Sequence, residues 1–539
     1  MSKFLLYAPA PCALANLALW LWLIYVCRRS LAQFFKGLGT RSWLFLAGLL
    51  AAQAAFHVFL VGPKHIVYID EFWYMEAAKN LFTKGWAPGY SKSIGWPVLE
   101  SLAFLAGGIS NFSAIYLSIA LGTLAPVFLF FAALAAGLGK REAALASLFL
   151  AFLPFKLVWA ASAETAAAAL FFVCAAFLFS LLYYRENSKE LLWLSLVSWA
   201  MAAQIRPENI VFLAVFAAGL VIFSRRKTPV LPWVSAIALN AANLAVFAKF
   251  QSATNWVAAD SGGKFSGANL GLSNLAFNTA HWAPKFLDGS LYPFIFEAAV
   301  LAGAAELWIK KRRLSVFLLI SFVALYLFYF SAWLQVYGTS QDVFAKTKIF
   351  LLFQPVLALF AAYGFSLPEI VKFRAGKIAL NALAAVVLAQ FALSGDKFHF
   401  RAPARELETI AVSKLEKITP RGCVIVANAP VIINSVNFIK TVSSEDFLAD
   451  KNFREEILGG CAFYFRDVTE SFDVGGFRTV WDRLNGEFEL KPWAVFSRDG
   501  ASVGLYKFAG TKILSPGAPA PGISRQPGIS ARNSPQTKK

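Results

Sequence analysis

The stretch SAETAAAALFFVCAAFLFSLLYYR (residues 162–185) decides the class of this protein. Between Glu164 and Arg185 it holds about 20 consecutive uncharged residues, most of them Ala, Leu or Phe. An α-helix rises ~1.5 Å per residue, so a run of this length covers the ~30 Å hydrocarbon core of a bilayer. The stretch is therefore predicted to cross a membrane as a helix.

Similar apolar runs recur along the 539 residues, of which 58% are hydrophobic and 15% are charged. A soluble globular chain carries roughly 25% charged residues. The pattern predicts a mainly α, polytopic membrane helical bundle of about twelve helices. The predicted helices are 5–27, 42–62, 111–136, 141–158, 164–184, 190–205, 208–223, 229–249, 291–309, 314–336, 347–366 and 377–395.

The net charge of +19 comes largely from short basic clusters between these runs. Every second connection is basic, which is the pattern of cytoplasmic loops and argues against nucleic-acid binding. The other connections are then external: the loops 63–110, 250–290 and 337–346, and everything after residue 396. With four His and no CxxC among five Cys, a structural zinc site has few ligands to draw on.

Residues 396–512 are predicted to form a small external α/β domain. CVIVAN (423–428) has the character of a buried strand, 444–458 of a helix, and WAVFSRDGASVGLYKF (493–508) of a hairpin that turns at Asp499-Gly500. Cys423 and Cys461 fit either a disulfide or two buried thiols. The other predicted regions are an N-terminal membrane helix with its cytoplasmic loop (1–41), a transmembrane domain (42–395) and a disordered, Pro-, Gly- and Ser-rich tail (513–539).

Two adjacent acids, Asp70 and Glu71, stand at the end of an apolar run in YIDEFWYMEAAKNLFTKGW (68–86). The residues after them have the spacing of an amphipathic helix at the membrane surface. Asp70 can be the N-cap of that helix, a catalytic base, or both. The external loop continues with further cations, including Lys92.

A third acid, Glu164, opens a predicted helix at the same membrane face. It can serve as a helix-dipole partner, but an acid beside a bilayer is also a functional candidate. Together, Glu164 and Asp70 could act as base and orienting group, or share a hard divalent cation. The sequence does not decide whether the protein needs a metal.

Cations gather at the same face. In QIRPENI (204–210), Arg206 and Glu208 form either a local ion pair or an anion contact. Lys346 and Lys348 open another helix, where ammonium groups and a helix N-terminus suit a phosphate. A base beside bound phosphate fits transfer from a lipid-linked phosphosugar, because phosphate leaves without protonation.

DEFWYMEAAKNLFTKGWAPGY (70–90) resembles the first external loop of the GT-C glycosyltransferases, in particular the branch of protein O-mannosyltransferases, lipid A aminoarabinose transferases and Rgt-like proteins. Weaker matches follow in the family's order over roughly residues 42–395. They are KREAALASLFLAFLPF (140–155), SAETAAAALFFVCAAFLF (162–179), QIRPENIVFLAVF (204–216) and KIFLLFQPVLALFAAYGF (348–365). The chain departs from the family in IGWPVLE (94–100), where only Pro97 of a Lys-Pro-Pro pattern remains, and in Lys348, where the family commonly has Arg.

The resemblance implies an inverting glycosyltransferase that takes a monosaccharide from dolichyl- or undecaprenyl-phosphate to a hydroxyl acceptor on a protein, glycan or lipid. It implies an active site on the external face of the plasma membrane. Each site residue then has an expected role. Asp70, Glu71 and Glu164 would be catalytic; Lys346, Lys348 and Arg206 would hold the donor phosphate; Tyr74, Lys92 and Glu208 would line the substrate cavity.

Two other functions remain to be weighed against a transferase. A transporter or flippase of lipid-linked glycans would place charges near the bilayer midplane on broken helices, commonly within internal repeats. Here the charges lie at helix ends, and no repeat is evident. A catalytically dead scaffold would have lost the first-loop acid, which is intact at Asp70. The sequence thus favours the enzyme.

Overall fold

The structure is a computed structural model that describes residues 7–61, 69–86, 93–224, 229–253, 272–287, 289, 291–331, 348, 350–367, 372–398, 403–467, 477–498 and 501–511. These residues divide into two compact units. The membrane unit comprises the described residues up to Lys417 together with Val431–Phe438. The sheet unit comprises Ile418–Pro430 and the described residues from Ile439 onward. The domain boundaries expected from the sequence stay predictions.

The membrane unit is built from helices. They are α1 (Pro9–Val26), α2 (Arg28–Lys36), α3 (Gly39–Ala55), α4 (Ile69–Lys84), α5 (Gly95–Gly107), α6 (Asn111–Ala135), α7 (Lys140–Phe152), α8 (Pro154–Ala160), α9 (Thr165–Glu186), α10 (Lys189–Ile205), α11 (Val211–Gly219), α12 (Val230–Ala253), α13 (Leu272–Leu287), α14 (Phe294–Lys310), α15 (Arg312–Ser331), α16 (Gln354–Gly364), α17 (Arg374–Phe398), α18 (Pro403–Ile418, which ends one residue into the sheet unit) and α19 (Pro430–Asn434). Short π-helical turns follow α3 and α11, and 3₁₀ turns precede α11 and α16.

Each of the twelve segments predicted to cross the membrane coincides with helix in the described residues. Among the described residues, six helices are long and apolar enough to span a bilayer, and the bent pair α7–α8 makes a seventh. Three shorter apolar helices in the same part of the chain lie at Pro207–Phe223, Val230–Val246 and Leu351–Gly364. The chain is a multi-pass membrane protein with a mainly α fold, as the sequence predicted.

The chain bends between α7 and α8, and a short turn after α8 leads to Glu164 at the start of α9. The two helices differ in direction by 58°. Pro154 explains the break, because proline removes a backbone donor and pushes the residue before it out of the helical region. Leu153 accordingly has φ −55° and ψ 130°. After the single short helix α8, the chain turns and α9 begins at Thr165.

The centre of the membrane unit is α9, which is buried from Thr165 to Tyr183 and packs between α6 and α10. Another close contact joins α14 to α16. A Cβ on Gly303 would lie 1.8 Å from the Phe360 carbonyl oxygen, and one on Gly364 would lie 2.1 Å from the Ala299 carbonyl oxygen. Glycine is needed at both positions, and small residues that let backbones approach are typical of membrane helix pairs.

The sheet unit holds a five-stranded mixed sheet in the order β2-β1-β3-β5-β4. The strands β1 (Val424–Ala427), β2 (Lys440–Ser443) and β3 (Ala462–Arg466) are parallel, whereas β4 (Phe488–Arg498) and β5 (Ala501–Thr511) form an antiparallel hairpin that joins β3 through β5. The connecting helices are α20 (Ser444–Ala449), α21 (Lys451–Leu458) and α22 (Phe477–Glu487).

Most of the local predictions for this unit hold. The predicted strand 423–428 is β1, and the hairpin is confirmed, although its turn residues lie outside the described part of the chain. The helix expected over 444–458 is two helices, because Asp450 caps α21 by accepting hydrogen bonds from the backbone N–H groups of Asn452 and Phe453. Cys423 and Cys461 are joined by a disulfide.

Candidate active site

Lys348 connects two carboxylates that are far apart in the sequence. Its Nζ lies 2.6 Å from Glu164 Oε1 and 3.2 Å from Asp70 Oδ2. Both carboxylates are close enough to form ion pairs with the ammonium, which holds the two acids at one point.

The two carboxylates have different exposure. Glu164 is completely buried, whereas the side chain of Asp70 is 24% exposed. Glu164 is also the N-cap of α9, where Oε2 accepts hydrogen bonds from Thr165 N at 2.8 Å and Thr165 Oγ1 at 3.0 Å. The helix-dipole role expected for Glu164 is thus present beside its ion pair. Asp70 is the acid of this pair that solvent or a substrate can reach.

Asp70 is not an N-cap, in contrast to one interpretation of the sequence. The helix α4 begins at Ile69, so Asp70 and Glu71 both lie in its first turn. Their negative charge there complements the positive end of the helix dipole. The cap interpretation was wrong because the apolar residue before Asp70 already has helical backbone geometry.

Arg206 and Glu208 form a local ion pair, one of the two alternatives that the sequence left open, with Nη2 and Oε1 2.6 Å apart. Their assignment to the donor phosphate and the substrate cavity stays a prediction. Both side chains are mostly enclosed, at 9% and 19% exposure. Arg206 Nη1 also donates a hydrogen bond to the main-chain oxygen of Lys348 at 3.4 Å. The pair therefore supports the backbone that carries the bridging ammonium.

Glu71 holds the turn that precedes α9. Its Oε2 accepts a hydrogen bond from the Ala163 N–H at 2.7 Å, and Trp96 Nε1 donates to the Ala163 carbonyl at 2.7 Å. Glu71, Trp96 and Ala163 are all fully buried. Both polar groups of the Ala163 backbone are thus fixed next to Glu164, and α4, α5 and α9 meet at this turn.

Glu100 is a buried acid that the sequence reasoning did not select. It lies one turn after Trp96 on α5 and is fully buried. Burial raises the pKa of Glu100, and the charges of Glu71 and Glu164 raise it further. The close approach of α5 to α10 encloses this region, because a Cβ on Gly95 would lie 2.6 Å from the Gln204 carbonyl carbon. An acid in an otherwise apolar helix was the available signal.

The roles assigned to the other site residues stay predictions. Tyr74 is 8% exposed and packs in the hydrophobic core of the membrane unit, and its assignment to the substrate cavity stays a prediction. Lys92 and Lys346 lie outside the described residues. Within the described ranges, no group of three or more His, Cys, Asp or Glu side chains is placed to hold a metal ion.

An apolar cavity of about 310 Å³ adjoins the chain that carries Lys348. Phe350 and Phe353, two and five residues after Lys348, line it together with aromatic side chains of α14 and α15. The aromatic side chains of these helices are Phe296, Phe322, Tyr326 and Phe330, and Tyr292 also lines the cavity. The membrane unit therefore places an aromatic cavity close in sequence to the bridging ammonium.

Solved structures share this architecture. ArnT from Cupriavidus metallidurans, in a crystal structure bound to undecaprenyl phosphate, has a TM-score of 0.52 and 13% sequence identity, with 87% of this chain and 98% of that chain covered. Its apo form gives a TM-score of 0.52 at 13% identity, with coverage of 86% and 97%. This chain therefore shares its fold with ArnT.

A second similar structure is the Archaeoglobus fulgidus oligosaccharyltransferase tethered to an acceptor peptide with an NVT sequon. It has a TM-score of 0.50 and 12% identity, and the match covers 89% of this chain and 75% of that chain. No protein-family model and no curated protein sequence matches the chain. The similarity in fold that the sequence resemblance implied is thereby confirmed.

Proposed function

We propose that this chain is an inverting membrane glycosyltransferase that moves a monosaccharide from a polyprenyl-phosphate donor to a hydroxyl acceptor. The observation that carries the proposal is the arrangement of Asp70, Lys348 and Glu164. A partly exposed carboxylate, the candidate base, contacts a cation that a fully buried carboxylate holds from behind. Such a site offers a proton acceptor and a phosphate ligand within one hydrogen-bonded group.

In the proposed reaction, an acceptor hydroxyl oxygen attacks the anomeric carbon of the donor sugar. The new C–O bond forms as the bond to the phosphate oxygen breaks, and the phosphate leaves with the bonding electron pair. The hydroxyl proton passes to the Asp70 carboxylate. Lys348 stabilises the charge that develops on the phosphate, and attack opposite the leaving group inverts the anomeric centre.

The existing ion pair gives Lys348 a second effect in this proposal. In the absence of donor, the ammonium neutralises part of the Asp70 charge and lowers its basicity. A bound phosphate would draw the same ammonium toward itself and loosen its 3.2 Å contact with Asp70, while the shorter contact with Glu164 keeps Lys348 in place. Asp70 would thus become a stronger base once the donor is bound, which is the state in which an acceptor can react.

Two further features support a lipid-linked donor. The aromatic cavity beside Phe350 and Phe353 suits an isoprenoid chain, whose methyl groups and double bonds pack well on aromatic rings. ArnT, which shares the fold, is described in complex with undecaprenyl phosphate. The alternation of basic loops favours an active site on the external face of the plasma membrane.

The test is transfer of radiolabelled sugar from membrane-extracted polyprenyl-phosphate sugars by purified protein, with Asp70→Asn compared to wild type. We expect a loss of about 10²–10⁴-fold, the usual contribution of a positioned base. Asn has nearly the same size, and Lys348 keeps its 2.6 Å contact with Glu164, so folding should survive. The control is Glu186→Gln, which neutralises an exposed acid at the other end of α9.

Equal transfer by Asp70→Asn and wild type would remove Asp70 from the chemistry. Reconstituted vesicles address the alternative of a transporter or flippase. Movement of the lipid-linked sugar across the bilayer, without transfer to any acceptor, would replace the glycosyltransferase with that second function.

A further inference from the structure

Lys79 is a buried cation on the helix that carries Asp70. It is 6% exposed, although lysine is among the residues least often buried. Its Nζ donates hydrogen bonds to the carbonyl oxygens of Asn434 and Asn437, the latter at 2.5 Å, and lies 4.8 Å from the centre of the Phe438 ring. All three groups belong to Val431–Phe438, and Glu76 on α4 itself places a negative charge near the ammonium.

Val431–Phe438 is also held by hydrogen bonds that do not involve Lys79. Asn437 Nδ2 donates to the carbonyl oxygens of Val412 at 2.9 Å and Ile433 at 3.2 Å, and the Phe438 N–H donates to Glu416 Oε1 at 2.7 Å. Val412 and Glu416 lie on α18. The carbonyl groups that receive Lys79 are therefore aimed by side chains that do not belong to α4.

Apolar packing also holds α4 on the side that carries Lys79, because Phe72 and Met75 lie seven and four residues before it. Phe72, Met75 and Ala78 are fully buried at helical spacing. Apolar packing alone resists separation of the helix from its neighbours but is not directional. Lys79 adds directional bonds nine residues after Asp70, about 13 Å along a single helix. Rotation or sliding of α4 would break those bonds and would move Asp70 by a similar amount.

We infer that Lys79 and Val431–Phe438 form a clasp that sets the position of α4, and that Lys79 is a positioning residue for sugar transfer. The inference rests on the proposed function for its catalytic part. It predicts that Val431–Phe438 is needed for the chemical step itself, because a displacement of about 1 Å at a reacting group lowers a rate by up to ~10²-fold. A segment used solely to select the acceptor would change the acceptor KM instead.

The experiment compares Lys79→Met with Lys84→Met, which removes an exposed lysine from the last turn of the same helix. Hydrogen–deuterium exchange of the peptide that covers residues 69–84 measures the clasp without any substrate. We expect exchange in Lys79→Met to be at least tenfold faster than in wild type, and exchange in Lys84→Met to be unchanged. Equal exchange in Lys79→Met and wild type would overturn the clasp.

Kinetics measure the catalytic consequence. We expect Lys79→Met to lower kcat by about 10- to 100-fold with little change in the acceptor KM, and to lower acceptor-independent donor hydrolysis by the same factor. A raised acceptor KM with an unchanged kcat would refute the positioning role. If wild type transfers no sugar, the proposed function fails, and hydrogen exchange still decides whether the clasp exists.

A second variant guards against a folding defect in Lys79→Met. Asn437→Leu leaves α4 intact but removes the bonds to Val412 and Ile433 that aim the carbonyl groups. The clasp requires this variant to speed exchange within residues 69–84 and to lower kcat as well. Unchanged exchange and kcat in a folded Asn437→Leu protein would contradict the inference.

Discussion

Replacement of Lys348 by Met tests whether the buried end of the ion pair depends on its cation. The 2.6 Å contact between Lys348 Nζ and Glu164 Oε1 has a gross attraction of about 6 kcal/mol at an effective dielectric constant of ~20. Desolvation of the two groups offsets most of that attraction in the native protein. In Lys348→Met the desolvation of Glu164 remains while the attraction is gone. We expect the free energy of unfolding to fall by about 3–5 kcal/mol.

The measurement is reversible unfolding in mixed micelles, followed by circular dichroism. A double-mutant cycle with Glu164→Gln separates loss of the ion pair from loss of packing. Gln keeps a carbonyl oxygen that can accept from the Thr165 N–H, so the cap of α9 is retained. We expect the double variant to be about 2 kcal/mol more stable than Lys348→Met, because it no longer buries an uncompensated charge.

Lys451→Met supplies the matched control. Lys451 pairs with Glu455 at 3.7 Å on an exposed helix surface, where both side chains are more than half exposed. Such pairs contribute at most about 1 kcal/mol. The reasoning is refuted if Lys348→Met costs as little as this control, or if the effects of Lys348→Met and Glu164→Gln simply add. Either result would mean that Glu164 finds another partner or reaches water.

Three further predictions follow from features of the fold. Gly303→Ala should lower stability by about 1–3 kcal/mol in the same unfolding assay, because its Cβ would overlap a facing backbone oxygen, whereas Gly48→Ala has open space and should be close to neutral. Replacement of Cys423 and Cys461 by Ser should destabilise the sheet unit by about 3–4 kcal/mol, as expected for a disulfide across 38 residues; reductant should have no effect on the stability of that variant. Burial lowers the pKa of Lys79 to about 8, so above pH 8 the folded protein binds fewer protons than the unfolded chain, and stability should rise with pH toward the ordinary lysine pKa of ~10.4. Lys79→Met should lack that part of the pH dependence.

The membrane fold could be predicted from the sequence because a bilayer leaves little choice. A run such as 165–184 has no charged residue, and its backbone groups must be satisfied within a helix. The bend before Pro154 was not predicted, although a proline inside a helical pattern is a signal for a kink. The charged groups of the site were predicted by topology, which placed Asp70, Glu164 and Lys348 at the same face. The contact of Lys348 with both acids needed the structure.

The parts that the sequence missed depend on distant neighbours. Glu100 was not selected from the sequence, because the charges of Glu71 and Glu164 act on it only in the folded chain. The pairing of Cys423 with Cys461 was undecided until β1 and β3 were found side by side, with Val424 opposite Ala462. Local patterns carry no information of this kind.

Val431–Phe438 belongs to the membrane unit, although the residues on either side of it in the sequence belong to the sheet unit. This has a practical consequence for truncated or hybrid forms of the protein. A fragment that starts at Ile418 would carry Val431, Ile432 and Ile433, all buried here and all counted with the membrane unit, into water. Exposed apolar residues of this kind promote aggregation. Exchange of C-terminal regions between relatives would likewise separate Lys79 from carbonyl groups that lie 355 and 358 residues away. Functional hybrids should be those in which residues 69–84 and 403–438 come from the same parent.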